Sequence, residues 1–222
     1  MSGIVDLSMP LQDGMRGFTY EQVKTADREG WNTSNLHIYS HAGTHMDAQL
    51  HFEAGPGTID QIPLERCMGP AWIIDLEGIA DKELITVGHL GEVSKKFLPG
   101  ECLLFRTSWS RHVNSPQHYR DHFPRISDEL ACWCADHRVN LIGVEPPSVA
   151  DMNNKEELTR IHKTLLGANI IIVEGLTNLD ALSHDKVFFV AAPLKIQGGD
   201  GCPCRAYAFD GIPPEFIPMP LP

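Results

Sequence analysis

The 222-residue sequence lacks the features that mark a membrane protein or a nucleic-acid-binding protein. No stretch approaches the run of about 18 apolar residues that a transmembrane helix needs, so a membrane span is excluded. Basic residues are few: 18 Lys and Arg against 29 Asp and Glu give a formal net charge of −11, which disfavours binding to phosphate backbones. Residues 1–6 show no basic region leading into an apolar core, so we expect no signal peptide and a cytoplasmic location.

Cysteines are present, but without the spacing of a zinc ribbon or a disulfide-bonded domain. Residues 202–204, Cys-Pro-Cys, could in principle hold a soft metal, yet reduced thiols are the better interpretation for a cytoplasmic chain. The sequence also lacks repeats, low-complexity tracts and a clear linker, so we expect a single domain over residues 1–222. The proline-rich segment 212–222 cannot form a helix and is expected to pack extended along a surface or a partner subunit.

What the sequence does contain is an alternating segment at residues 41–51, His-Ala-Gly-Thr-His-Met-Asp-Ala-Gln-Leu-His. Successive side chains of a strand point to opposite faces, so one face would carry three imidazoles and a carboxylate, and the other would be fit for burial. A helix would not place the possible ligands on one face, because Asp47 would lie about 240° round the helix axis from His41. Neutral imidazole and carboxylate together suit Zn²⁺, Mn²⁺ or Fe²⁺, so the segment predicts a metal site.

Distances along an extended chain limit how these side chains can share an ion. His45 and Asp47 would lie about 7 Å apart, a span that one ion can bridge through side chains. His41 would lie about 13 Å from His45 unless the backbone bends, and Gly43 is the residue that allows a bend. His51 would lie about 13 Å beyond Asp47, so we predict it beside the metal, as a general base.

The second half of the chain alternates strands and helices, which predicts an α/β fold with a mixed β-sheet and flanking helices. Asn154 is expected to cap a helix, with Glu157 as its capping-box partner, and this helix places His162 on its apolar stripe. A buried strand over residues 170–173 then ends at Glu174, at the sheet edge where α/β folds bind ligands. Spacing alone leaves two possibilities open: His162 and Glu174 are further metal ligands, or His162 is a core histidine bonded to a backbone carbonyl.

Three motifs together resemble the signature of the metal-dependent hydrolases called the cyclase family, which includes bacterial kynurenine formamidase (arylformamidase) and isatin hydrolase. They are His41-x-Gly43-Thr44-His45-x-Asp47-x-x-x-His51-Phe52, Pro146-Pro147-Ser148 with His162 and Glu174, and Gly199-Asp200-Gly201-x-Pro203-x-Arg205. The resemblance covers nearly the whole chain. It implies a swivelling β/β/α-type fold, a homodimer or higher homo-oligomer, and hydrolysis of the amide or cyclic amide of a small aromatic substrate such as N-formylkynurenine or isatin.

The resemblance also implies roles for individual residues. His51 would be the catalytic acid/base, and Asp47 would bridge two ions if two are bound. Zinc is the first metal expected and manganese the second; the motif leaves one or two ions open. The implied metal ligands are His41, His45, Asp47, His162 and Glu174.

Two residues depart from the pattern of the cyclase family. Gln49 stands where the family usually has proline, and its position could let it hydrogen-bond the substrate or a group beside the metal. Glu145 stands where the family often has aspartate. Both departures bear on the substrate more than on the chemistry.

Two other functions remain open from the residues alone. His45-x-Asp47 with a distant His162 also fits the 2-His-1-carboxylate site of non-haem Fe(II) oxygenases, although His41 and Glu174 would crowd that iron. A non-catalytic metal-binding or ligand-binding domain is the other alternative, although structural zinc sites usually close with four ligands, often cysteines.

Aromatic and histidine residues outside these motifs carry weaker signals. Trp31 and Trp109 could line an aromatic substrate pocket, although tryptophans more often fill cores. His112, His118 and His122 are expected in a polar surface loop and receive no role.

Overall fold

The structure is a computed structural model that describes residues 3–211; the proline-rich segment 212–222 lies outside the described residues. The described range contains the following strands: β1 (Gly3–Asp6), β2 (Phe18–Lys24), β3 (Thr33–Ile38), β4 (His45–Asp47), β5 (Met68–Asp75), β6 (Leu84–Ile85), β7 (Cys102–Arg106), β8 (Arg125–Ile126), β9 (Leu141–Val144), β10 (Ile171–Glu174), β11 (Lys186–Pro193) and β12 (Gly201–Asp210). It also contains these α-helices: α1 (Ala26–Glu29), α2 (Val93–Lys96), α3 (Pro116–Asp121), α4 (Asp128–Asp136) and α5 (Lys155–Gly167). No helix of this part of the chain is both long enough and apolar enough to span a bilayer.

Eight strands form one mixed sheet in the order β1-β12-β11-β5-β7-β9-β10-β4. The central strands β5, β7, β9 and β10 pair in parallel, whereas β4, β11, β12 and β1 join them by antiparallel pairing. Strand β4 also pairs with β12, so the sheet closes on itself like a barrel. The mixed α/β class predicted from the sequence is confirmed, and the closure is a feature that the sequence pattern did not reveal.

Two hydrophobic cores lie on the two faces of this sheet. Every strand from β12 round to β4 contributes to the core inside the closed sheet. Met46, Leu104 and Val173 belong to this core. Their chain neighbours, such as Leu103 and Ile172, point outward into the second core, between the sheet and helices α4 and α5. Because side chains alternate along a strand, the residues that flank Met46 also point outward, toward α5.

Asn154 caps the N-terminus of helix α5 as the sequence predicts, but only one of the two hydrogen bonds of the expected capping box forms. The Asn154 side chain accepts a hydrogen bond from the Glu157 backbone N–H at 3.2 Å. The Glu157 carboxylate does not return to the Asn154 backbone; it accepts from the Asp151 N–H and pairs with Arg125. This helix buries Ile161, His162, Leu165 and Leu166 against the sheet.

Candidate metal centre

The candidate metal centre is built around β4, which carries His45 and Asp47. On both sides of β4 the chain departs from the extended strand expected over residues 41–51. Gly43 adopts a positive φ of 60°, so the chain bends there, as the sequence predicts, before entering β4. Beyond Asp47 the expectation is wrong, because residues Gln49–Phe52 form a 3₁₀ turn. Such a turn rises about 2 Å per residue and coils the chain back, so the separation expected for His51 was too large. The His51 ring stacks on His41, with centroids 3.8 Å apart.

Pairing of β4 with β10 brings the distant carboxylate Glu174 beside His45. The two residues are register partners, and His45 Nε2 lies 3.3 Å from Glu174 Oε2. Helix α5 adds His162, whose Nε2 lies 3.5 Å from Glu174 Oε1 and 3.8 Å from Asp47 Oδ2. All four residues are buried. The structure therefore brings His162 and Glu174, from the second half of the chain, to the ligands expected in the first.

Backbone carbonyls orient two of the imidazoles. His45 Nδ1 bonds to Gly43 O at 2.9 Å, and His162 Nδ1 bonds to Leu158 O at 2.7 Å. A carbonyl oxygen can only accept, so each Nδ1 carries a hydrogen, and each Nε2 is left facing the carboxylates, where it can hold a proton or bind a cation in its place. Metal-binding histidines are held in this manner. His162 is thus bonded to a carbonyl and its other nitrogen faces the cluster, and its role as a metal ligand stays a prediction.

His41 lies at the outer side of the cluster, between two carboxylates. Its Nδ1 lies 2.8 Å from Asp47 Oδ1 and its Nε2 lies 2.9 Å from Asp200 Oδ2. The donor atoms of His41, His45 and Asp47 fall within 4.8 Å of one another, and so do those of Asp47, His162 and Glu174. Asp47 belongs to both groups, so the arrangement offers two adjacent positions that share one carboxylate.

These residues fit a divalent metal ion better than they fit each other. Asp47 Oδ2 is buried and has no hydrogen-bond partner in the described part of the chain, an arrangement that is costly without a cation. Several nitrogen–oxygen distances in the cluster run from 3.3 to 3.8 Å, long for hydrogen bonds. Ligands about 2.0–2.2 Å from one tetrahedral zinc ion would lie roughly 3.4 Å apart. Imidazole nitrogens and carboxylate oxygens are also the donors that zinc and manganese accept.

The charges of the cluster favour a bound cation. Burial alone would raise the pKa of Asp47, but the hydrogen bond from His41 and the charge of His45 outweigh it, and the pKa is lowered. Burial and the charge of Asp47 would raise the pKa of Glu174, but the neighbouring imidazoles of His162 and His45 outweigh them, and this pKa is lowered as well. Both carboxylates are therefore ionised at neutral pH. Burial lowers the pKa of His51 below its usual 6.5, so this imidazole is neutral and able to accept a proton.

Comparison with known proteins identifies the family. The model of the Cyclase family matches residues 5–151, about two thirds of the chain. The chain belongs to the Cyclase family. Kynurenine formamidase of Salinibacter ruber is 30% identical over 197 residues, which cover 89% of each chain. Kynurenine formamidase of Bacillus anthracis is 32% identical over 212 residues, covering 91% of this chain and 95% of its own.

Two solved structures share the fold of this chain. Isatin hydrolase A from Labrenzia aggregata superposes with a TM-score of 0.87 at 26% identity, covering 95% of this chain and 94% of its own. Isatin hydrolase A from Ralstonia solanacearum gives a TM-score of 0.84 at 27% identity, covering 94% of this chain and 92% of its own. The α/β fold implied by the resemblance is thus confirmed.

Asp200 is a residue of this Cyclase-family site to which sequence reasoning gave no role. Its Oδ2 lies 2.9 Å from His41 Nε2 and 3.6 Å from His51 Nδ1, on the exposed side of the cluster. The pairing of β12 with β4 sets Gly201 opposite Asp47 and so delivers Asp200. The glycines on either side of Asp200 were the sequence signal for this close approach. At Gly201 a side chain has no room, because a Cβ there would lie 2.6 Å from the His41 ring.

The two departures from the family pattern have structural roles in this chain. The Gln49 amide donates to Leu166 O at 3.1 Å and accepts from the Gly57 N–H at 3.2 Å, so it binds backbone rather than substrate. The buried Glu145 carboxylate accepts hydrogen bonds from Thr107 and Ser110. Burial outweighs these bonds and raises its pKa.

The two tryptophans considered for a substrate pocket lie in different environments. Trp109 is buried and its indole N–H donates to Tyr119 O at 2.9 Å, so it is a core residue. Trp31 lies between β2 and β3 and is exposed. Within residues 3–211, neither tryptophan ring packs against an imidazole of the cluster around Asp47.

Proposed function

We propose that the chain is a metal-dependent hydrolase of a small amide or cyclic amide, with aromatic compounds such as N-formylkynurenine or isatin as the substrate class. One observation carries the proposal: a buried cluster of imidazoles and carboxylates around an unbonded Asp47 oxygen, with the neutral His51 beside it. The names of the relatives support the same chemistry, since they are kynurenine formamidases by sequence and isatin hydrolases by structure.

The expected metal is zinc first and manganese second, held by His41, His45 and Asp47, with His162 and Glu174 forming an adjacent position. Such an ion, when bound, lowers the pKa of water toward about 7 and polarises a substrate carbonyl. Glu174 also argues against the iron oxygenase alternative, because a 2-His-1-carboxylate site has no use for a second buried carboxylate within 3.5 Å of His162.

The proton transfers fall to His51. Its neutral imidazole accepts a proton from the attacking water, and the imidazolium then gives that proton to the leaving nitrogen of the amide. Asp200 Oδ2, 3.6 Å from His51 Nδ1, stabilises the imidazolium in the interval through its negative charge. His41 stacks on the same ring and fixes its plane.

The first test is the variant His51→Ala. Turnover should fall about 10²–10⁴-fold while the metal content, measured by mass spectrometry, stays at the wild-type value. Metal-depleted protein supplied with Zn²⁺ or Mn²⁺ provides the substrate screen, across N-formylkynurenine, isatin and simple lactones. Loss of metal in His51→Ala would contradict its role as the acid/base, and failure to hydrolyse any of these compounds would contradict the function.

We also propose that the protein is a homo-oligomer, as the family resemblance implies. The β2–β3 hairpin supports this, because Tyr20 and Leu36 are cross-strand partners and are both half exposed. Exposed apolar groups on one face are typical of interaction surfaces. Other exposed apolar side chains of the same region are Val23, Trp31, Ile38 and Tyr39.

The variant Leu36→Asp tests the assembly. Sedimentation velocity should show a dimer or larger species for the wild type and a shift toward monomer for Leu36→Asp, because a charge on an apolar interface is costly. Leu194→Asp, which alters an exposed leucine at the other end of the chain, is the control. A wild-type monomer at micromolar concentration would contradict the proposal.

A further inference from the structure

A second group of histidines lies outside the centre around Asp47. His118 and His122 were expected in a surface loop, but this expectation is wrong. Residues Pro116–Asp121 form α3, which contains His118, and His122 follows as its C-cap. Proline suits the first helical position, where its missing N–H has no partner to lose. The His122 N–H donates to His118 O, so the two side chains lie one helical turn apart on the same face.

Asp81 faces both of these histidines from a separate segment. Its Oδ2 lies 3.6 Å from His118 Nε2 and 3.6 Å from His122 Nδ1. The Lys82 N–H donates to His122 O at 2.8 Å and fixes this segment against the end of α3. The distances are too long for good hydrogen bonds, but they match the roughly 3.4 Å that separates two ligands of a tetrahedral zinc ion.

We propose that Asp81, His118 and His122 form a surface site for a divalent transition-metal ion, with Zn²⁺ as the expected occupant. The three donor atoms lie within 4.8 Å of one another. Two imidazoles and one carboxylate suit zinc, whereas Mg²⁺ and Ca²⁺ require mostly oxygen ligands. The side chains are 35%, 44% and 52% exposed for His118, His122 and Asp81, so the ion enters from solvent and water completes its coordination.

The residues behind the cluster link it to the protein core. The His118 ring stacks on buried Trp109 with centroids 5.2 Å apart, and His112 lies 4.7 Å away on the same group of rings. Tyr119 donates its hydroxyl hydrogen to Glu145 O at 2.8 Å. An ion held by Asp81 and α3 therefore cross-links two surface segments at a point that is packed against the interior.

Counting bound zinc tests the site. After equilibrium dialysis against micromolar Zn²⁺, mass spectrometry should find one more ion per chain in the wild type than in the double variant His118→Gln/His122→Gln. His137→Gln is the matched control, because His137 also stacks on a tryptophan, Trp133, but belongs to no group of potential metal ligands within residues 3–211. Its zinc content should equal that of the wild type.

Two further variants separate this site from the proposed catalytic one. Asp47→Asn should lose the ions of the buried centre and keep the surface ion, so its remaining zinc should disappear when His118 and His122 are also replaced. Asp81→Ala should weaken the surface site by roughly 100-fold or more, since even the groups that only support metal ligands contribute 10–100-fold to affinity. Hydrolysis by the double variant His118→Gln/His122→Gln should match the wild type.

The proposal fails if the wild type and the double variant bind equal amounts of zinc. It fails too if Mg²⁺ or Ca²⁺ at millimolar concentration displaces the extra ion, because the site would then belong to another ligand class. Circular dichroism spectra of all variants must overlay, and Asp81→Ala provides an independent reading should the double variant unfold.

Discussion

Single glycines set the distance between the two strands that carry the centre. Gly175 follows Glu174 directly and has a positive φ of 68°. A Cβ there would lie 2.5 Å from the carbonyl oxygen of Gly43, which bends the chain ahead of His45. Because the obstacle is backbone, no side-chain rearrangement can relieve the clash. The approach of β10 to β4, and so of Glu174 to His45, depends on the missing side chain.

The variant Gly175→Ala tests this dependence. We expect it to lower the free energy of unfolding by about 2–4 kcal/mol, from the left-handed backbone strain together with the forced separation of the strands. Gly198→Ala is the matched control, because Gly198 has a similar φ of 71° but open space around its Cβ position. It should lose only about 1–2 kcal/mol in urea unfolding, the cost of the left-handed backbone alone. Equal losses would show that the contact with Gly43 has no energetic weight.

The residues of the centre differ in how far the sequence alone reveals them. His45 and Asp47 could be predicted because strand alternation sorts side chains locally, and Met46 between them points into the core as that pattern requires. Asp200 could not be assigned, because it reaches His41 only through the pairing of β12 with β4. Strand pairing between distant segments is a property of the whole sheet, and the spacing of residues does not encode it.

The 3₁₀ turn that carries His51 is tied to the end of α5. Gln49 makes the tie, since its amide binds Leu166 O on one side and the Gly57 N–H on the other. Gly55 and Gly57 leave the space, because a Cβ at either would lie 2.7 Å from the Gln49 side-chain oxygen. Both amide ends are thus engaged by backbone.

The variant Gln49→Ala should therefore reduce stability without changing substrate binding. Two part-buried hydrogen bonds to the backbone would be lost, and we expect the free energy of unfolding in urea to fall by about 1–3 kcal/mol. The KM for the best substrate should stay at the wild-type value. Gln61→Ala, at an exposed glutamine on the nearby turn Ile59–Gln61, should change neither quantity. A raised KM with unchanged stability would restore a substrate-binding role for Gln49.

Long elements with a clear apolar stripe could be predicted, and short ones could not. Helices α4 and α5 follow from their caps and helical spacing, as the Ser127 and Asn154 hydrogen bonds show. Helix α3 and the 3₁₀ turn over Gln49–Phe52 are only a turn or so long, so tertiary contacts such as the Gln49 amide bonds decide them. The return of His51 toward His41 was missed for this reason.

The metal centre joins parts of the chain that are far apart in sequence. Asp47 comes from the first half, whereas His162 and Glu174 come from the second, and β4 lies between β10 and β12 where the sheet closes. Without a cation, the fold carries two buried carboxylates and an unbonded oxygen at this closure. A ligand that binds only the folded chain must therefore stabilise it.

Removal of the metal should lower the melting temperature of the protein. Zinc free at about 100 times its dissociation constant would add about 2.7 kcal/mol to the free energy of unfolding, and a chelator would remove that gain. In Asp47→Asn the gain should largely vanish, because the shared carboxylate of both buried positions is neutral. The double variant His118→Gln/His122→Gln should keep most of this gain in stability, since it leaves the buried metal positions around Asp47 unchanged. If Asp47→Asn gained as much stability from zinc as the wild type, the ion would act somewhere other than between β4, β10 and α5, and the buried carboxylates would have to be stabilised by protein groups alone.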